Sequence, residues 1–475
     1  MSRTIAVLQS VLLVGIVSPL RGAETPGVQR VGGRGSYAVV VSAATYADPQ
    51  WKKVVETLRE KHDASVLIYP KSVVEAREAL AELFPRHACF VARPEEAGRD
   101  FVVAIHRMTR TLDADPYTDV LWGILTGYEA ADALRIAQLK EPLVVRRAAA
   151  GTGLNLDAFD EGRWFSEGEK GVMWEKLPGG KPEKRKCPDD STKALADTFN
   201  EFKPDLFVTS GHATPRDWQI GYSYRNGQFR CKGGQLFGLD LQGKACPILS
   251  PNPKVYLPAG NCLMGLIPDR DCMALAFMRT GGVCQMFGYT VSTWHGYGGW
   301  GINDLFIGQP GRFTLAEAFL LNNQALLHQL ETRFPKSAGV NFDRFDLERD
   351  PQLLGKLAAQ HGLRDRDEIG LLWDRDTVAF YGDPAWEARL APRSLAWDQR
   401  LSEKDGIYTF EVAPNADTGW SRPPMALFPH RLKGIQILEG KELSPLLTDD
   451  FLLLPEPKKL QKGKTYTVKF RAERP

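Results

Sequence analysis

The chain has 475 residues, of which 43% are hydrophobic and 25% are charged, as in an ordinary globular protein. This length exceeds what a single hydrophobic core usually serves, so two or three domains are expected. With 60 basic and 58 acidic residues the net charge is +2, which does not indicate nucleic acid or a membrane surface as the main partner.

The first residues predict a secretory signal peptide. Arg3 precedes a mostly apolar run at 5–20, and the small residues Gly22 and Ala23 follow it. A positive start, an apolar stretch and small residues are typical of such signals, so residues 1–23 are predicted to be removed. The mature chain is then exported to the periplasm, the cell surface or the medium, with no membrane span. The alternative is an uncleaved membrane anchor, although the run is short for a span of about 20 residues.

Seven cysteines occur, an odd number, which leaves at least one thiol unpaired in an exported protein. They contain no CxxC pair and no zinc-type spacing of cysteine and histidine, so we expect no metal site. The unpaired thiol is either a functional group or a buried, inert cysteine.

Residues 36–150 alternate between strand-like and helix-like segments. The segments 37–42, 64–69, 87–92 and 119–127 are short and apolar, whereas 51–63 and 73–84 have the spacing of amphipathic helices. Continuous apolar strands that alternate with helices are typical of a parallel α/β sheet. This region is predicted to be a first α/β subdomain.

Residues 151–190 are rich in Gly, Pro and Lys in their second half and are predicted to be a surface loop or linker. A second α/β subdomain follows at 191–390. Its predicted helices are 191–202, 269–282 and 313–334, and its predicted strands are 205–210, 254–259 and 283–290. The segment 222–232 is predicted to be a hairpin that turns at Asn226-Gly227.

Residues 391–475 alternate apolar and polar positions at 407–414, 425–432 and 465–473, with Pro-rich connections between them. This pattern predicts a small antiparallel β-sandwich. The fold class is therefore α/β, with a mostly parallel sheet flanked by helices in two subdomains, followed by this sandwich.

Two of the predicted strands end in residues that can do chemistry. The strand 205–210 runs into Gly211 and His212, and the strand 254–259 runs into Gly260, Asn261 and Cys262. In a parallel sheet the carboxyl ends of strands gather catalytic groups at one edge. A thiol needs a base to form the nucleophilic thiolate, and an imidazole can accept and return that proton. The pattern predicts a Cys–His dyad, although a histidine after an apolar strand is often only structural.

The segments around these residues resemble the gingipain family of cysteine peptidases, in the clan that also holds caspases and legumains. The resemblance covers about residues 36–390. It rests on the two apolar blocks that end in His212 and Cys262, and on the segments 276–283, 288–290 with Trp294, 298–301 placed before a helix, 380–384 and 115–117.

The resemblance implies a caspase-like fold and an exported endopeptidase that acts on peptides or proteins. It implies Cys262 as the nucleophile and His212 as the base, with the N–H groups of Cys262 and Ala213 forming the oxyanion hole. Gly211 and Trp294 would contact the substrate, and Asp115 would lie at the floor of a pocket for Arg or Lys. The C-terminal sandwich resembles the family's immunoglobulin-like module. Neither a dinucleotide motif nor a P-loop is present, so no cofactor is expected.

Several alternatives stay open. Ala213 stands where the family has Gly, and Asn261 stands where it has a small residue; both favour a non-catalytic scaffold or binding protein of the cell envelope. A hydrolase acting on something other than peptides is a third possibility. His295 is a second candidate for the base, and Asp115 is a turn residue in its simpler interpretation. The sequence does not indicate the oligomeric state.

Overall fold

The computed structural model describes residues 27–33, 35–346 and 352–474. The predicted signal peptide, residues 1–23, lies outside the described residues. Within the described part of the chain, no helix combines the length and apolar character needed to cross a bilayer.

The first part of the chain alternates strands and helices, as predicted. Its elements are β1 (Gln29–Val31), β2 (Tyr37–Ser42), α1 (Ala43–Ala47), α2 (Pro49–His62), β3 (Ser65–Tyr69), α3 (Arg77–Leu83), β4 (His87–Val91), α4 (Arg99–Thr109), β5 (Leu121–Leu125) and α5 (Ala130–Ala137). Strands β2, β3 and β5 are buried at every position, which explains their unbroken apolar sequences. Helix α2 begins after Asp48, whose carboxylate accepts hydrogen bonds from two N–H groups of the first turn.

The middle part supplies most of the remaining sheet and the longest helix. Its elements are β6 (Leu143–Val145), β7 (Arg147–Ala150), β8 (Glu161–Phe165), β9 (Val172–Lys176), β10 (Glu183–Lys186), α6 (Thr192–Asp197), β11 (Leu206–Thr209), β12 (Asp217–Gln219), β13 (Gln228–Lys232), β14 (Gln235–Leu239), β15 (Ala245–Ile248), β16 (Lys254–Pro258), α7 (Met273–Arg279), β17 (Val283–Tyr289), α8 (Tyr297–Phe306), α9 (Leu315–Arg333), α10 (Gln352–Gln360), α11 (Arg366–Arg375), β18 (Val378–Tyr381) and β19 (Ala388–Leu390). A π-helical turn, Thr198–Phe202, extends α6. Helix α9 begins with a capping box formed by Thr314 and Glu317.

One mostly parallel sheet runs through both parts of the chain. Its 13 strands lie in the order β1-β3-β2-β4-β5-β18-β17-β16-β11-β7-β8-β9-β10. Strands β3, β2, β4, β5 and β18 are parallel to one another, and so are β17, β16, β11, β7 and β8. The two sets meet at the antiparallel pair β17–β18. The predicted class, a mostly parallel α/β sheet with flanking helices, is confirmed, and the sheet is continuous across the two predicted subdomains.

The prediction of a surface loop at 151–190 is wrong. Strands β8, β9 and β10 lie in this segment and form one end of the large sheet. The polar sequence has a physical reason: β9 is only partly buried and β10 is exposed along its whole length, as is usual for strands at a sheet edge.

The predicted hairpin at 222–232 is also displaced. Strand β13 pairs with β14 across a turn at Gly233-Gly234, where both glycines have positive φ, as a type I′ turn requires. Asn226 instead lies before β13, and its side-chain oxygen accepts a hydrogen bond from the N–H of Ser191. Strands β12–β15 form a small antiparallel sheet of their own. Residues 298–301, expected before a helix, lie inside α8.

The C-terminal part forms small antiparallel sheets, as predicted. Its strands are β20 (Trp397–Lys404), β21 (Ile407–Pro414), β22 (Thr418–Gly419), β23 (Met425–Leu427), β24 (Lys433–Glu439), β25 (Leu446–Leu447), β26 (Phe451–Leu453), β27 (Lys459–Leu460) and β28 (Tyr466–Glu473). They form the sheets β20-β21-β28-β24, β23-β26-β25 and β22-β27. A separate core that includes Phe410, Phe428 and Phe470 lies among them.

Candidate active site

Five parallel strands bring their carboxyl ends to one edge of the large sheet. They are β8, β7, β11, β16 and β17, in this spatial order. Strands β11 and β16 are direct neighbours, with Thr209 opposite Pro258. His212 follows β11 and Cys262 follows β16, so the two predicted residues leave adjacent strands at the same edge of the sheet.

Asn261, which follows β16, forms two side-chain hydrogen bonds to the end of β11. Its side-chain N–H donates to the carbonyl of Gly211 at 2.9 Å, and its side-chain oxygen accepts from Thr209 Oγ1 at 2.5 Å. The Asn261 side chain has no exposed surface; its bond to Thr209 is buried and its bond to Gly211 is partly buried. The residue before Cys262 is therefore in direct contact with the residue before His212. A smaller residue would leave the Gly211 carbonyl without this partner, which explains an amide side chain at this position.

The thiol of Cys262 is free and partly exposed. Its sulfur accepts a hydrogen bond from the N–H of Thr293 at 3.2 Å. An N–H dipole directed at sulfur favours negative charge there, as a nucleophilic thiolate requires. Thr293 also donates its hydroxyl to the carbonyl of Asn261, so the loop after β17 is fixed to the Cys262 segment from two sides.

Leu263, directly after Cys262, has a φ of 60°. This left-handed conformation is costly for a large side chain and persists only where the surroundings enforce it. Here the N–H of Leu263 donates to the carbonyl of Val291 at 3.0 Å. The backbone turns sharply after Cys262, and strained positions of this kind occur often beside catalytic groups.

His212 lies at the surface, after the end of β11. Its ring stacks on Tyr222, with ring centroids 5.0 Å apart, and it lines a cavity of about 660 Å³. No hydrogen bond joins the His212 ring to the sulfur of Cys262 among the described contacts. Catalytic hydrogen bonds are often long without substrate and shorten once it binds.

The backbone around His212 leaves a donor free. Gly211 has a φ of 89°, which a side chain rarely adopts, so the sharp turn is made at Gly211 and not at Ala213. Ala213 forms an isolated antiparallel bridge with Trp218, made by bonds from Gln219 to His212 and from Thr214 to Asp217. In such a bridge the N–H of the central residue points away from its partner.

The two predicted oxyanion donors are consequently available. Over the described contacts, neither the N–H of Ala213 nor that of Cys262 donates to another group. The β-carbon of Ala213 causes no conflict, because the residue does not adopt positive φ. The departure from Gly at this position thus carries no backbone penalty.

Glu167 is a candidate that the sequence analysis missed. It follows β8, and its Oε1 accepts from Thr152 Oγ1 at 2.6 Å. Its Oε2 is buried without a hydrogen-bond partner among the described residues and lies 3.8 Å from the position that a β-carbon on Gly211 would occupy. A buried carboxylate oxygen therefore lies beside the residue that precedes His212.

Glu167 was missed because its segment was predicted to be a loop. The aromatic residues Trp164 and Phe165, of a type enriched in strands, were the available signal for a strand that ends just before it.

Trp294 lies next to the site, directly after Thr293. It is partly buried against the main core, and the guanidinium of Arg366 lies 5.8 Å from its ring centroid. His295 packs against α11 instead: a β-carbon on Gly370 would overlap its ring, and its Nε2 lies 4.0 Å from Asp367 Oδ1. Burial lowers the pKa of His295. Because the partners of His295 belong to α11, its surroundings do not favour it as the base for Cys262.

Trp300 is a second residue that the analysis missed. It lies in α8 and is 43% exposed, which is unusual for so large an apolar side chain. A β-carbon on Gly260 would lie 3.3 Å from the Trp300 ring, so the exposed indole is next to the Cys262 segment. Its exposed position beside Gly260 makes it a candidate wall for bound substrate.

The structure places Asp115 elsewhere. Its carboxylate accepts from the N–H of Tyr117 at 2.8 Å, as in a turn, and it lies in a cluster with Asp113 and Asp449 of the C-terminal part. Burial raises the pKa of Asp115 to about 6. None of these neighbours contacts His212 or Cys262. The surroundings match the simpler interpretation of Asp115 as a turn residue.

Comparison of the sequence with models of known protein families and with curated proteins found no match.

Proposed function

We propose that the protein is a cysteine endopeptidase in which Cys262 attacks a peptide carbonyl and His212 transfers the proton. The observation that carries this proposal is the pair of hydrogen bonds made by Asn261, the residue before Cys262. Its side chain bonds Gly211, the residue before His212, and Thr209 at the end of β11, where five parallel strands end.

Each neighbouring group has a role in this proposal. The N–H of Thr293 stabilises negative charge on the sulfur. The free N–H groups of Ala213 and Cys262 bind the oxyanion, a contribution of about 3 kcal/mol for one donor. The carboxylate of Glu167 stabilises the imidazolium that forms when His212 accepts the proton.

The proposal extends to the class of peptidase. A base and a thiol that follow adjacent parallel strands, and the resemblance of the flanking segments to gingipains, support a caspase-like catalytic region. The C-terminal sheets would then correspond to an immunoglobulin-like module. We keep export of the mature chain as part of the same proposal, on the signal-like residues 1–23. The preference for Arg or Lys loses its support, since Asp115 lies among C-terminal residues.

A non-catalytic scaffold is the second candidate. The stacking of His212 on Tyr222, without a hydrogen bond to the sulfur, favours it. In that case the edge of the sheet would bind a ligand without cleaving it.

Covalent labelling separates the two candidates. A set of peptidyl acyloxymethyl ketones with different side chains is incubated with the purified protein, and the adduct is measured by intact mass. We expect one label per chain in the wild type and none in Cys262→Ala. The variant Cys246→Ala, which removes a buried thiol of β15 in the small antiparallel sheet, should label like the wild type. Absence of labelling in folded wild-type protein would favour the scaffold.

A further inference from the structure

The cavity of about 660 Å³ lies on the histidine side of the candidate site. His212, Ala213, Asp217, Tyr222, Tyr224 and Arg225 are among the residues that line it, whereas Cys262 is not. The cavity is therefore next to the proton-transfer group and separated from the nucleophile.

This position has a chemical meaning if the proposed function holds. When Cys262 Sγ forms its bond to the carbonyl carbon, the acyl part of the substrate becomes attached to sulfur. The C–N bond then breaks, and the imidazolium of His212 gives the nitrogen the proton that it took from the thiol. Water later hydrolyses the thioester. The leaving amine must lie beside His212, so the cavity is on the leaving-group side.

The charges in the cavity indicate what it binds. Asp217 lies opposite the positively charged Arg230 in the β12–β13 pair, a position at which opposite charges attract, without a direct ion pair between them. Arg225 is exposed and forms no ion pair in the described part of the chain. Its guanidinium can bind a carboxylate with two hydrogen bonds.

An aromatic surface completes the cavity. Tyr222 is 58% exposed and stacks on the catalytic imidazole, while the hydroxyl of Tyr224 donates to the carbonyl of Ser166 at 2.7 Å. The exposed Tyr222 ring offers an apolar face to a peptide that passes His212.

We propose that this cavity binds the leaving-group side of the substrate and that Arg225 selects a carboxylate there. The inference rests on the proposed function. The carboxylate belongs either to an acidic side chain after the cleaved bond or to the C-terminus of a short leaving peptide.

Cleavage-site profiling provides the test. The wild-type protein is incubated with a peptide mixture from a digested proteome, and the cut positions are read by mass spectrometry. A cleaved sequence is then synthesised with Glu or Gln after the cut bond and an amidated C-terminus. In a second pair of peptides this position is Gln and only a few residues follow the cut bond. One member has a free C-terminus and the other has an amidated C-terminus.

We expect that in one of the two pairs the wild type cleaves the peptide with the carboxylate about fivefold faster than its neutral partner, as one exposed ion pair allows. In Arg225→Gln this ratio should fall to about one. The control Lys232→Gln removes an exposed charge that does not line the cavity and should keep the wild-type ratio.

The Glu pair and the terminus pair tell the two sources of carboxylate apart. Cleavage with equal rates for charged and neutral peptides, or a ratio unchanged in Arg225→Gln, would overturn this inference and leave the peptidase intact. If no peptide is cleaved and no ketone labels Cys262, the proposed function itself fails, and this inference fails with it.

Discussion

Glu167 offers a sharp test at the scale of single residues. Replacing it by Gln keeps the shape of the side chain but removes the negative charge beside Gly211. We expect kcat/KM to fall by about tenfold to hundredfold, because interactions with a charged partner contribute about 1.5–3 kcal/mol. The measurement is hydrolysis of a cleaved peptide at fixed pH.

Glu169→Gln is the matched control for this change. Glu169 is exposed on the same segment and pairs with Lys184, so its variant should keep wild-type activity. Equal activity of the Glu167→Gln variant and the wild type would remove Glu167 from the mechanism.

Asn261 is expected to matter for both stability and activity. Asn261→Ala leaves the carbonyl of Gly211 without its side-chain partner, and the hydroxyl of Thr209 keeps only its hydrogen bond to Tyr256. We expect a loss of about 1–3 kcal/mol in the free energy of unfolding, measured by urea denaturation. Because the strand ends are no longer tied, activity should fall more than the folded fraction does.

Asn252→Ala provides the comparison. Asn252 bonds the carbonyl of Pro204 before β11, at the opposite end of the strands from the site. Its variant should lose stability but keep the specific activity of its folded fraction. Two variants with the same activity would contradict the role given to Asn261.

The residues that the sequence indicated are those with a reactive side chain. His212 and Cys262 could be found because each follows an apolar strand, and the order of strands in a parallel sheet brought them to one edge. Thr293 and Glu167 could not be found in this way. Thr293 contacts the sulfur only through its backbone N–H, which any residue has, and the placement of Glu167 depends on the pairing of β7 with β8.

At the scale of elements, the packing of α8 against the end of β16 positions Cys262. A β-carbon on Gly299 would lie 2.0 Å from the carbonyl oxygen of Ala259, so the helix and the strand are as close as glycine permits. We expect Gly299→Ala to reduce the free energy of unfolding by about 1–3 kcal/mol and to lower activity, since overpacking must push the helix away from the strand.

Gly355→Ala is the matched change in an open helix. Gly355 lies within α10, and a β-carbon there would have nothing within 4 Å. Alanine should raise stability by up to about 1 kcal/mol, because glycine is unfavourable inside a helix. Thermal unfolding of both variants measures the contrast. If Gly299→Ala were as stable as Gly355→Ala, the close packing of α8 would not hold.

Helices and buried strands were predictable because each carries its own pattern. The capping box of α9 and the apolar sequence of β2 are visible in the chain itself. Strands β8 to β10 were not predictable, because they are short and lie at the edge of the sheet, where one or both faces are exposed to solvent. The hairpin turn was predicted at Asn226-Gly227, a pair typical of type I′ turns, but Gly233-Gly234 makes the turn.

At the scale of the whole molecule, buried carboxyl groups couple stability to pH. Burial raises the pKa of Asp450, which lies in the C-terminal part, to about 7, and it raises the pKa of Asp119 before β5 to about 9. In the unfolded chain these groups ionise near pH 4, so the unfolded chain releases their protons at a lower pH than the folded chain does. The contribution of these two groups to stability is therefore expected to fall as pH rises from about 4 towards 7 and 9.

Asp450→Asn tests this coupling. The amide keeps the polar contact but cannot ionise, so the variant should lose less stability than the wild type between pH 5 and pH 8. The difference should be at least about 1 kcal/mol, since one pKa unit corresponds to 1.36 kcal/mol. Urea unfolding at several pH values measures it. Parallel curves for the two proteins would show that Asp450 is already ionised in the folded chain.

The overall architecture was more predictable than its division into parts. Alternation of strands and helices predicted a mostly parallel sheet, and period-two segments predicted the C-terminal sheets. The continuity of one sheet through 13 strands depends on the antiparallel contact of β17 with β18, which joins segments about 90 residues apart and leaves no local pattern.

Single-turnover kinetics of peptide cleavage by the wild type, His212→Ala, Cys262→Ala and the double variant test the central claim most directly. If the imidazole and the sulfur act as one unit, each single variant should lose nearly all activity, and the double variant should be no slower than either. A His212→Ala variant that cleaves at the wild-type rate would contradict the account, and so would losses that multiply in the double variant.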